Sequence, residues 1–392
     1  MKPLRILQVQ TYLRSERINP RAGGKSRIAL MLTKYLLEAG HEIAVFPWPE
    51  RIWGKPVEFA ASPSRSAEVF PTLALPAAKH LLPDGVRLLT VRLPGETRNP
   101  LFLDLCFLEA LRLAVERFHP DLLHCHQTDS DIPVFLPRAA KNLPALLTHH
   151  SGRSSRRLAG YDRIIFLSRS MQEEVCVRSG YPAGKARILH SPISDPYLEG
   201  PVVPDADRSG LMCIGNLKDM KGVDLLLEAY RLDADLRRHP LRLCGSGPDE
   251  GKYKAFAAEH NLPVVFDGRL GVPEVKERMS NARLLVNPSR MEGFSVALCE
   301  ALACGTPIVG WANQVNELEA LWGRPVGFPF DGRRQSAREL AELILRALKD
   351  PVLENVHREE FSRLARDSFS MERYGRGMIG LYEELLSGGR RR

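Results

Sequence analysis

Residues 287–310 read NPSRMEGFSVALCEALACGTPIVG. An apolar run, ARLLVNPS at 282–289, leads into this stretch, and a second apolar run, TPIVGWA at 306–312, follows it. Between the two runs, a turn at Met291–Gly293 precedes a segment whose apolar residues have helical spacing. Parallel strands need a crossover connection, so the order strand, turn, helix, strand is typical of a parallel sheet. The stretch therefore predicts an α/β fold.

Two glutamates give this stretch its chemistry, Glu292 in the turn and Glu300 in the helical segment. Eight residues of helix rise roughly 12 Å, so the two carboxylates lie too far apart to share a proton. They can instead hold two ends of one extended polar ligand. Backbone N–H groups that open a helix between them attract phosphate. This pattern predicts a sugar nucleotide, with sugar hydroxyls at Glu292, ribose hydroxyls at Glu300 and the diphosphate at Gly293, Phe294 and Ser295.

Glu292, seven intervening residues and Glu300, within PSRMEGFSVALCEALACGTPIV at 288–309, resemble the E-x7-E signature of glycosyltransferase family 4. The resemblance implies the GT-B fold, two Rossmann-like, doubly wound parallel-sheet lobes that face a central cleft. It also implies a retaining, metal-independent hexosyltransferase that uses a nucleotide sugar such as a UDP- or GDP-sugar, with no further cofactor. Glutamates that merely cap a helix and face solvent are the alternative for this pair.

The composition is that of a soluble globular protein, since 44% of the 392 residues are hydrophobic and 26% are charged. The length predicts two domains. No apolar run reaches the ~18 residues that a transmembrane helix needs, and the first residues, MKPLRILQVQ, predict a strand rather than a signal peptide. The seven scattered cysteines are expected to be reduced, so we expect a cytoplasmic protein.

The positive charge is uneven along the chain. Residues 1–190 carry 27 Lys and Arg against 17 Asp and Glu, whereas residues 191–392 carry 28 against 30. The basic first half favours peripheral contact with an anionic surface at the inner face of a membrane, or a phosphorylated acceptor. A solvated basic surface is the alternative. Nucleic acid is not expected as a partner, because no binding motif accompanies the charge.

Strands alternate with helices twice along the chain, on either side of a proline-rich segment at 194–210 that is expected to be a linker. Residues 1–195 are predicted to form the acceptor-side domain, and residues 205–370 the domain that binds the nucleotide sugar. The residues after Trp311 are expected to form a short loop and a strand. The resemblance implies that a final helix, residues 372–387, packs back on the first domain.

The loop IGNLKDMKG at 214–222 resembles a family segment in which an arginine and a lysine hold the diphosphate. Lys221 occupies the position of the lysine, but Asn216 occupies that of the arginine. A charge-assisted contact is worth roughly 1.5–3 kcal/mol, so this change weakens the donor site unless Lys218 replaces the missing cation. Further donor contacts are predicted for these residues: Gly23, Gly24, Gly215, Gly245, Gly247 and Arg269.

His150 follows the apolar run PALLTHH at 144–150 and resembles a family histidine that borders the transferred sugar; a purely structural histidine is the alternative. With Lys221 and Glu292 it completes the predicted catalytic set. His126 ends a neighbouring strand and is predicted to contact the acceptor. A zinc site at His124 and His126 is not predicted, because the sequence offers no second ligand pair with suitable spacing. The other acceptor candidates lie in the following polar loop: Arg153, Arg156 and Arg157.

The function that these features predict is sugar transfer from a nucleotide sugar to a glycan, a glycolipid or another hydroxyl acceptor. The resemblance places it in the biosynthesis of cell-envelope polysaccharide or glycolipid. Two alternatives stay open on the same fold. One is a sugar-nucleotide epimerase or a phosphorylase. The other, suggested by Asn216, is a noncatalytic sugar-nucleotide-binding or scaffold protein.

Overall fold

The computed structural model describes residues 2–10, 24–47, 87–88, 108, 111–127, 137, 140, 143–150, 158–351 and 355–388. The chain divides into two compact units. The first contains Met1–His190 together with Tyr374–Arg392, and the second contains Ser191–Arg373. No helix in these described ranges is both long enough and apolar enough to cross a membrane.

The described part of the first unit contains a seven-stranded parallel sheet in the order β3-β2-β1-β4-β5-β6-β7. Its strands are β1 (Arg5–Gln10), β2 (Glu42–Pro47), β3 (Arg87–Leu88), β4 (Leu122–Gln127), β5 (Ala145–His149), β6 (Arg163–Phe166) and β7 (Ala186–Ile188). The strand order reverses between β1 and β4. In open α/β sheets, ligands bind beyond the carboxyl ends of the strands at such a switch point.

Helices of the first unit include Gly24–Glu38, residues 111–118 and Arg169–Ser179. The last of these begins where the Ser168 side chain accepts a hydrogen bond from the N–H of Met171, and it ends at Gly180 in the left-handed region.

The described part of the second unit contains a six-stranded parallel sheet in the order β10-β9-β8-β11-β12-β13. Its strands are β8 (Leu211–Ile214), β9 (Leu241–Cys244), β10 (Val264–Gly268), β11 (Leu284–Val286), β12 (Ile308–Trp311) and β13 (Gly327–Phe330). Its helices are Val223–Leu232, Glu250–Glu259, Val272–Asn281, Val296–Ala303, Ala312–Trp322, Ala337–Ala347 and Asn355–Phe369. This is the doubly wound order, with its switch point between β8 and β11. The predicted α/β fold with two parallel sheets is confirmed.

One local prediction is wrong, because the residues after Trp311 form a helix, Ala312–Trp322, before the next strand. The segment 194–210, predicted to be a linker, lies near the start of the second unit and packs onto it, with Tyr197 1% exposed and Arg208 5% exposed. The Arg208 side chain donates hydrogen bonds to the hydroxyl of Thr306 at 2.7 Å and to the carbonyl of Cys304 at 2.8 Å.

The final helix, Met371–Gly388, packs on the first unit from Tyr374 onwards. The carboxylate of Glu384 accepts hydrogen bonds from Arg163 at 3.0 Å and from Arg187 at 2.6 Å. Gly375 lies so close to Tyr35 that an added Cβ would be 2.1 Å from the tyrosine ring. The final helix is therefore tied to the first sheet by ion pairs and to the helix Gly24–Glu38 by close packing.

Candidate functional site

The candidate donor site is built around an ion pair in the second unit. Nζ of Lys221 lies 2.5 Å from Oε1 of Glu292, and the hydroxyl of Ser289 donates to the same oxygen at 2.8 Å. The Glu292 side chain is only 10% exposed and that of Lys221 is 24% exposed. Lys221 follows β8 and Glu292 follows β11, and these two strands are parallel neighbours. The pair therefore lies at the switch point of the second sheet.

Glycines allow the loops around this pair to approach one another. Gly222, directly after Lys221, has φ +65°, and an added Cβ would lie 2.0 Å from the carbonyl oxygen of Pro288. Gly245 has φ +127°, and its added Cβ would lie 1.9 Å from the carbonyl oxygen of Gly215. Both the backbone conformation and the lack of space exclude a side chain at these two positions.

A small pocket opens beside the ion pair, and its lining includes Gly215, Asn216, Leu217, Lys221, Pro288 and Ser289. Three of these are predicted donor residues. Asn216 is exposed, and an added Cβ at Gly247 would lie 2.5 Å from its Oδ1. The side-chain amide of Asn216 thus packs against the turn that follows β9. This amide is uncharged, so residue 216 contributes no cation to the pocket.

Arg269 reaches the same turn from the loop after β10. Its Nε donates to the hydroxyl of Ser246 at 2.6 Å, and the N–H of Leu217 donates to the carbonyl of Ser246 at 3.1 Å. Arg269 is exposed. The fold therefore brings the predicted residues Gly245, Gly247 and Arg269 next to the loop that carries Asn216.

Arg290 joins the two loops that carry the ion pair, a role that sequence analysis missed. Its guanidinium donates to both carboxylate oxygens of Asp224, at 2.8 and 2.6 Å, and to the carbonyl of Asp219 at 2.6 Å. Burial alone would raise the pKa of Asp224, but the hydrogen bonds and charge of Arg290 outweigh it and hold that pKa below its ordinary value. A bidentate pair of this kind fixes geometry as well as charge.

The start of the helix after Glu292 differs from the prediction. The helix begins at Val296, so Gly293 and Phe294 precede it. The N–H of Ser295 donates to Oε1 of Gln314 at 2.6 Å, and Nε2 of Gln314 donates back to the carbonyl of Ser295 at 2.9 Å. The Ser295 N–H is therefore already paired with a buried amide in this arrangement, and its predicted contact with phosphate stays a prediction.

Glu300 and Phe294 are held against the interior of the second unit. Glu300 lies within the helix Val296–Ala303 and is 5% exposed. The ring of Phe294 contacts that of Phe369 edge-on, with centroids 6.0 Å apart. The structure places Glu300 one turn inside the helix, on the same chain segment as Glu292. Its predicted contact with ribose stays a prediction.

Two predicted residues of the first unit form a buried pair. Nδ1 of His126 lies 3.3 Å from Nε2 of His150, and their rings stack with centroids 5.5 Å apart. Burial lowers the pKa of His126 to about 3, so this imidazole is neutral at neutral pH. Since β4 carries His126 next to β1, the pair lies at the switch point of the first sheet.

The remaining predicted residues are placed as follows. Gly24 is the first residue of the helix Gly24–Glu38. Gly23, Arg153, Arg156 and Arg157 lie outside the described residues. Within the described residues, no group of three His, Cys, Asp or Glu side chains is arranged to hold a metal ion.

Comparison with known proteins finds two family models that match this chain. Residues 22–195 match the family model for Glycosyltransferase Family 4, and residues 202–367 match that for Glycosyl transferases group 1. An uncharacterized glycosyltransferase of Methanocaldococcus jannaschii is 30% identical over 185 residues, which cover 46% of this chain and 50% of that protein. The lipopolysaccharide core biosynthesis mannosyltransferase LpcC of Rhizobium leguminosarum bv. viciae is 28% identical over 185 residues, 45% of this chain and 51% of that protein. The chain thus spans about half the length of these curated relatives.

Among solved structures, HepE of Anabaena in complex with UDP and glucose is similar with a TM-score of 0.66. It is 15% identical, and the match covers 97% of this chain and 99% of that one. At this identity the likeness shows the fold, which is GT-B. One glycosyltransferase family model matches residues 22–195 and a second matches residues 202–367, so the two together cover most of the chain. The chain therefore belongs to glycosyltransferase family 4.

Proposed function

We propose that the protein transfers a sugar from a nucleotide-sugar donor to a hydroxyl group, with retention of the anomeric configuration. The observation that carries the proposal is the Lys221–Glu292 pair at the switch point of the second sheet. A cation for a diphosphate and a carboxylate for sugar hydroxyls are the two charges that a sugar nucleotide needs at neighbouring positions. Membership of the family and the UDP and glucose bound by HepE support the same donor class.

In the proposed reaction, Lys221 leaves Glu292 and pairs with the donor diphosphate. The bond between the anomeric carbon and the β-phosphate oxygen breaks through an oxocarbenium-like transition state, in which negative charge grows on the leaving group. A positioned cation stabilises that charge more in the transition state than in the ground state. The acceptor oxygen bonds the anomeric carbon from the same face, and its proton passes to the departing phosphate oxygen.

Glu292, once released, accepts hydrogen bonds from hydroxyl groups of the transferred sugar. The hydroxyl of Ser289, 2.8 Å from Oε1, keeps the carboxylate oriented during this exchange. The Arg290–Asp224 pair holds both loops in place, so Lys221 and Glu292 exchange partners while the backbone of the loops stays fixed. Glu300 is assigned to the ribose and His150 to a hydroxyl of the sugar or the acceptor.

The proposed acceptor is a glycan or a lipid-linked sugar of the cell envelope. The similarity to LpcC, a mannosyltransferase of lipopolysaccharide core biosynthesis, supports this class. The excess of Lys and Arg in residues 1–190 supports work at an anionic membrane surface on its cytoplasmic side.

A donor screen tests the proposal. Purified protein is incubated with UDP-, GDP- and ADP-hexoses, with and without lipid-linked and free sugar acceptors, and nucleotide release is measured. We expect acceptor-dependent release from one donor class, and a product whose anomeric proton coupling shows retention. Lys221→Met should abolish the release, whereas the exposed Lys252→Met should leave it unchanged.

A second candidate, a noncatalytic sugar-nucleotide-binding protein, is favoured by one observation. Asn216 places an uncharged amide in the pocket at the position where the family carries an arginine. Nucleotide binding with no turnover of any donor would support this candidate and contradict the transferase. Release that depends on inorganic phosphate would indicate a phosphorylase, and a donor changed without an acceptor would indicate an epimerase.

A further inference from the structure

A chain of buried contacts leads from the final helix to the histidine pair of the first unit. The hydroxyl of Tyr382 lies 2.7 Å from Nδ1 of His124, and Nε2 of His124 lies 2.8 Å from the hydroxyl of Thr148. The ring centroids of His124 and His126 are 4.2 Å apart. His126 in turn bonds His150 at 3.3 Å. Each of the five residues is at most 4% exposed.

The hydroxyls of Tyr382 and Thr148 determine which ring nitrogen of His124 carries the proton. Burial holds the pKa of His124 well below its ordinary value, so the ring is neutral. A neutral imidazole has one N–H donor and one acceptor nitrogen. Burial raises the pKa of Tyr382, which therefore keeps its proton, and within the described residues His124 is the hydrogen-bond partner of that hydroxyl. The Tyr382 O–H thus donates to Nδ1, and His124 carries its own proton on Nε2 and donates it to Thr148.

His126 depends on this arrangement for its orientation. In the described part of the chain, its Nε2 has no hydrogen-bond partner. The ring is therefore oriented by its single bond to His150 and by its contact with the ring of His124. A rotation or a tautomer change of His124 therefore alters the ring that packs against His126.

We propose that Tyr382 is a positioning residue, which locks His124 in one tautomer and thereby orients the His126–His150 pair. The consequence for catalysis rests on the proposed function, in which His150 bonds a hydroxyl of the sugar or acceptor. The orientation itself does not depend on that function, since it is a property of the folded first unit.

The test compares Tyr382→Phe with Tyr181→Phe. Tyr181 is also buried, and its hydroxyl donates one hydrogen bond, to the carbonyl of Tyr161 at 3.1 Å, so both variants lose one such bond. Imidazole ¹⁵N chemical shifts are measured on the full chain with labelled histidine. In wild type we expect a single Nε2–H tautomer for His124. In Tyr382→Phe we expect mixed tautomers for His124 and shifted signals for His126 and His150, and in Tyr181→Phe the wild-type spectrum.

Kinetics provide the second readout. Tyr382→Phe should lower kcat for transfer about tenfold with KM for the donor changed less than twofold, because a misplaced group affects the chemical step more than donor binding. Thr148→Val removes the other partner of His124 and should shift the same three histidine signals. Unchanged His126 and His150 signals in both Tyr382→Phe and Thr148→Val would overturn the proposal. If wild type transfers no sugar, the proposed function fails, while the spectra still decide the role of Tyr382.

Discussion

Nζ of Lys221 lies 2.5 Å from Oε1 of Glu292, so the cation assigned to the diphosphate and the carboxylate assigned to the sugar form one ion pair. The Glu292 carboxylate is largely shielded from water. Breaking a shielded pair by removing one partner leaves an uncompensated charge. A donor diphosphate can pair with the charge of Lys221, and sugar hydroxyls can donate hydrogen bonds to the carboxylate of Glu292. The donor can therefore supply a new partner to each group when the ion pair opens.

Glu292→Gln should change binding and transfer in opposite directions. The neutral amide no longer competes for Lys221, so the affinity for a nucleoside diphosphate should rise roughly twofold to fivefold, the range of a partly exposed charge contact. Sugar transfer should fall at least about a hundredfold, because the carboxylate that orients the sugar is gone. Calorimetric titration and the release assay measure the two quantities. A fall in both would show that Glu292 supports nucleotide binding rather than competing with it.

Gly222→Ala should destabilise the second unit by about 2–4 kcal/mol, since it combines a left-handed backbone with a clash against the Pro288 carbonyl. The matched control is Gly323→Ala. Gly323 has a similar φ, +68°, but an added Cβ there meets nothing within 4 Å. The difference between the two variants in urea unfolding therefore isolates the clash. Equal free energies of unfolding would contradict the close approach of the two loops.

Gln314→Ala should cost about 1–3 kcal/mol, because it leaves the buried N–H and C=O of Ser295 without their partner. Gln335→Ala is a suitable comparison, since Gln335 accepts one hydrogen bond, from the N–H of Asp331, in a partly exposed loop where water can replace it. We expect the Gln335 variant to lose less than half as much stability in thermal or urea unfolding. A neutral effect of Gln314→Ala would mean that the start of the helix is held by other contacts.

The Arg290–Asp224 pair should make stability depend on pH. The pKa of Asp224 is lowered in the folded protein, so the pair stabilises the fold above the unfolded value of about 3.9, and the stabilisation is lost as pH falls through the lowered pKa. Arg290→Gln should therefore be most destabilising between about pH 5 and pH 7, with a gap to wild type that narrows below about pH 4. Urea unfolding across pH 3–7 measures the gap. Asp224→Asn should show the same profile, and a gap that stays constant down to pH 3 would contradict the assignment.

The fold could be predicted from sequence because short apolar runs mark the strands. The apolar runs Leu211–Ile214 and Leu241–Cys244, for example, are strands of the second sheet, and each run is followed directly by a glycine loop. The helix Ala312–Trp322 was missed. Only Gln314, Val315 and Leu318 are buried along it, so its apolar stripe is too narrow to show a helical period.

The donor site could be predicted only in part. Lys221 and Glu292 were assigned to one site from motif positions, and the structure brings them into contact. Their supporting residues could not be found, because Arg290 meets Asp224 across 66 positions and Gln314 meets Ser295 across 19. The partner of His124 is 258 positions away on the final helix. Contacts between residues so far apart in sequence depend on how the strands and helices are arranged in the fold. Local sequence patterns do not contain that information.

The most direct test of the donor site is calorimetric titration of UDP, GDP and ADP into wild type, Lys221→Met and Glu300→Ala. We expect one nucleotide to bind wild type, with the Lys221 variant weakened about 10- to 100-fold, as the loss of a charge-assisted contact requires. Glu300→Ala should weaken the same nucleotide strongly through the ribose. Binding that is unchanged in both variants, or no binding of any nucleotide to wild type, would contradict a donor site at the switch point of the second sheet.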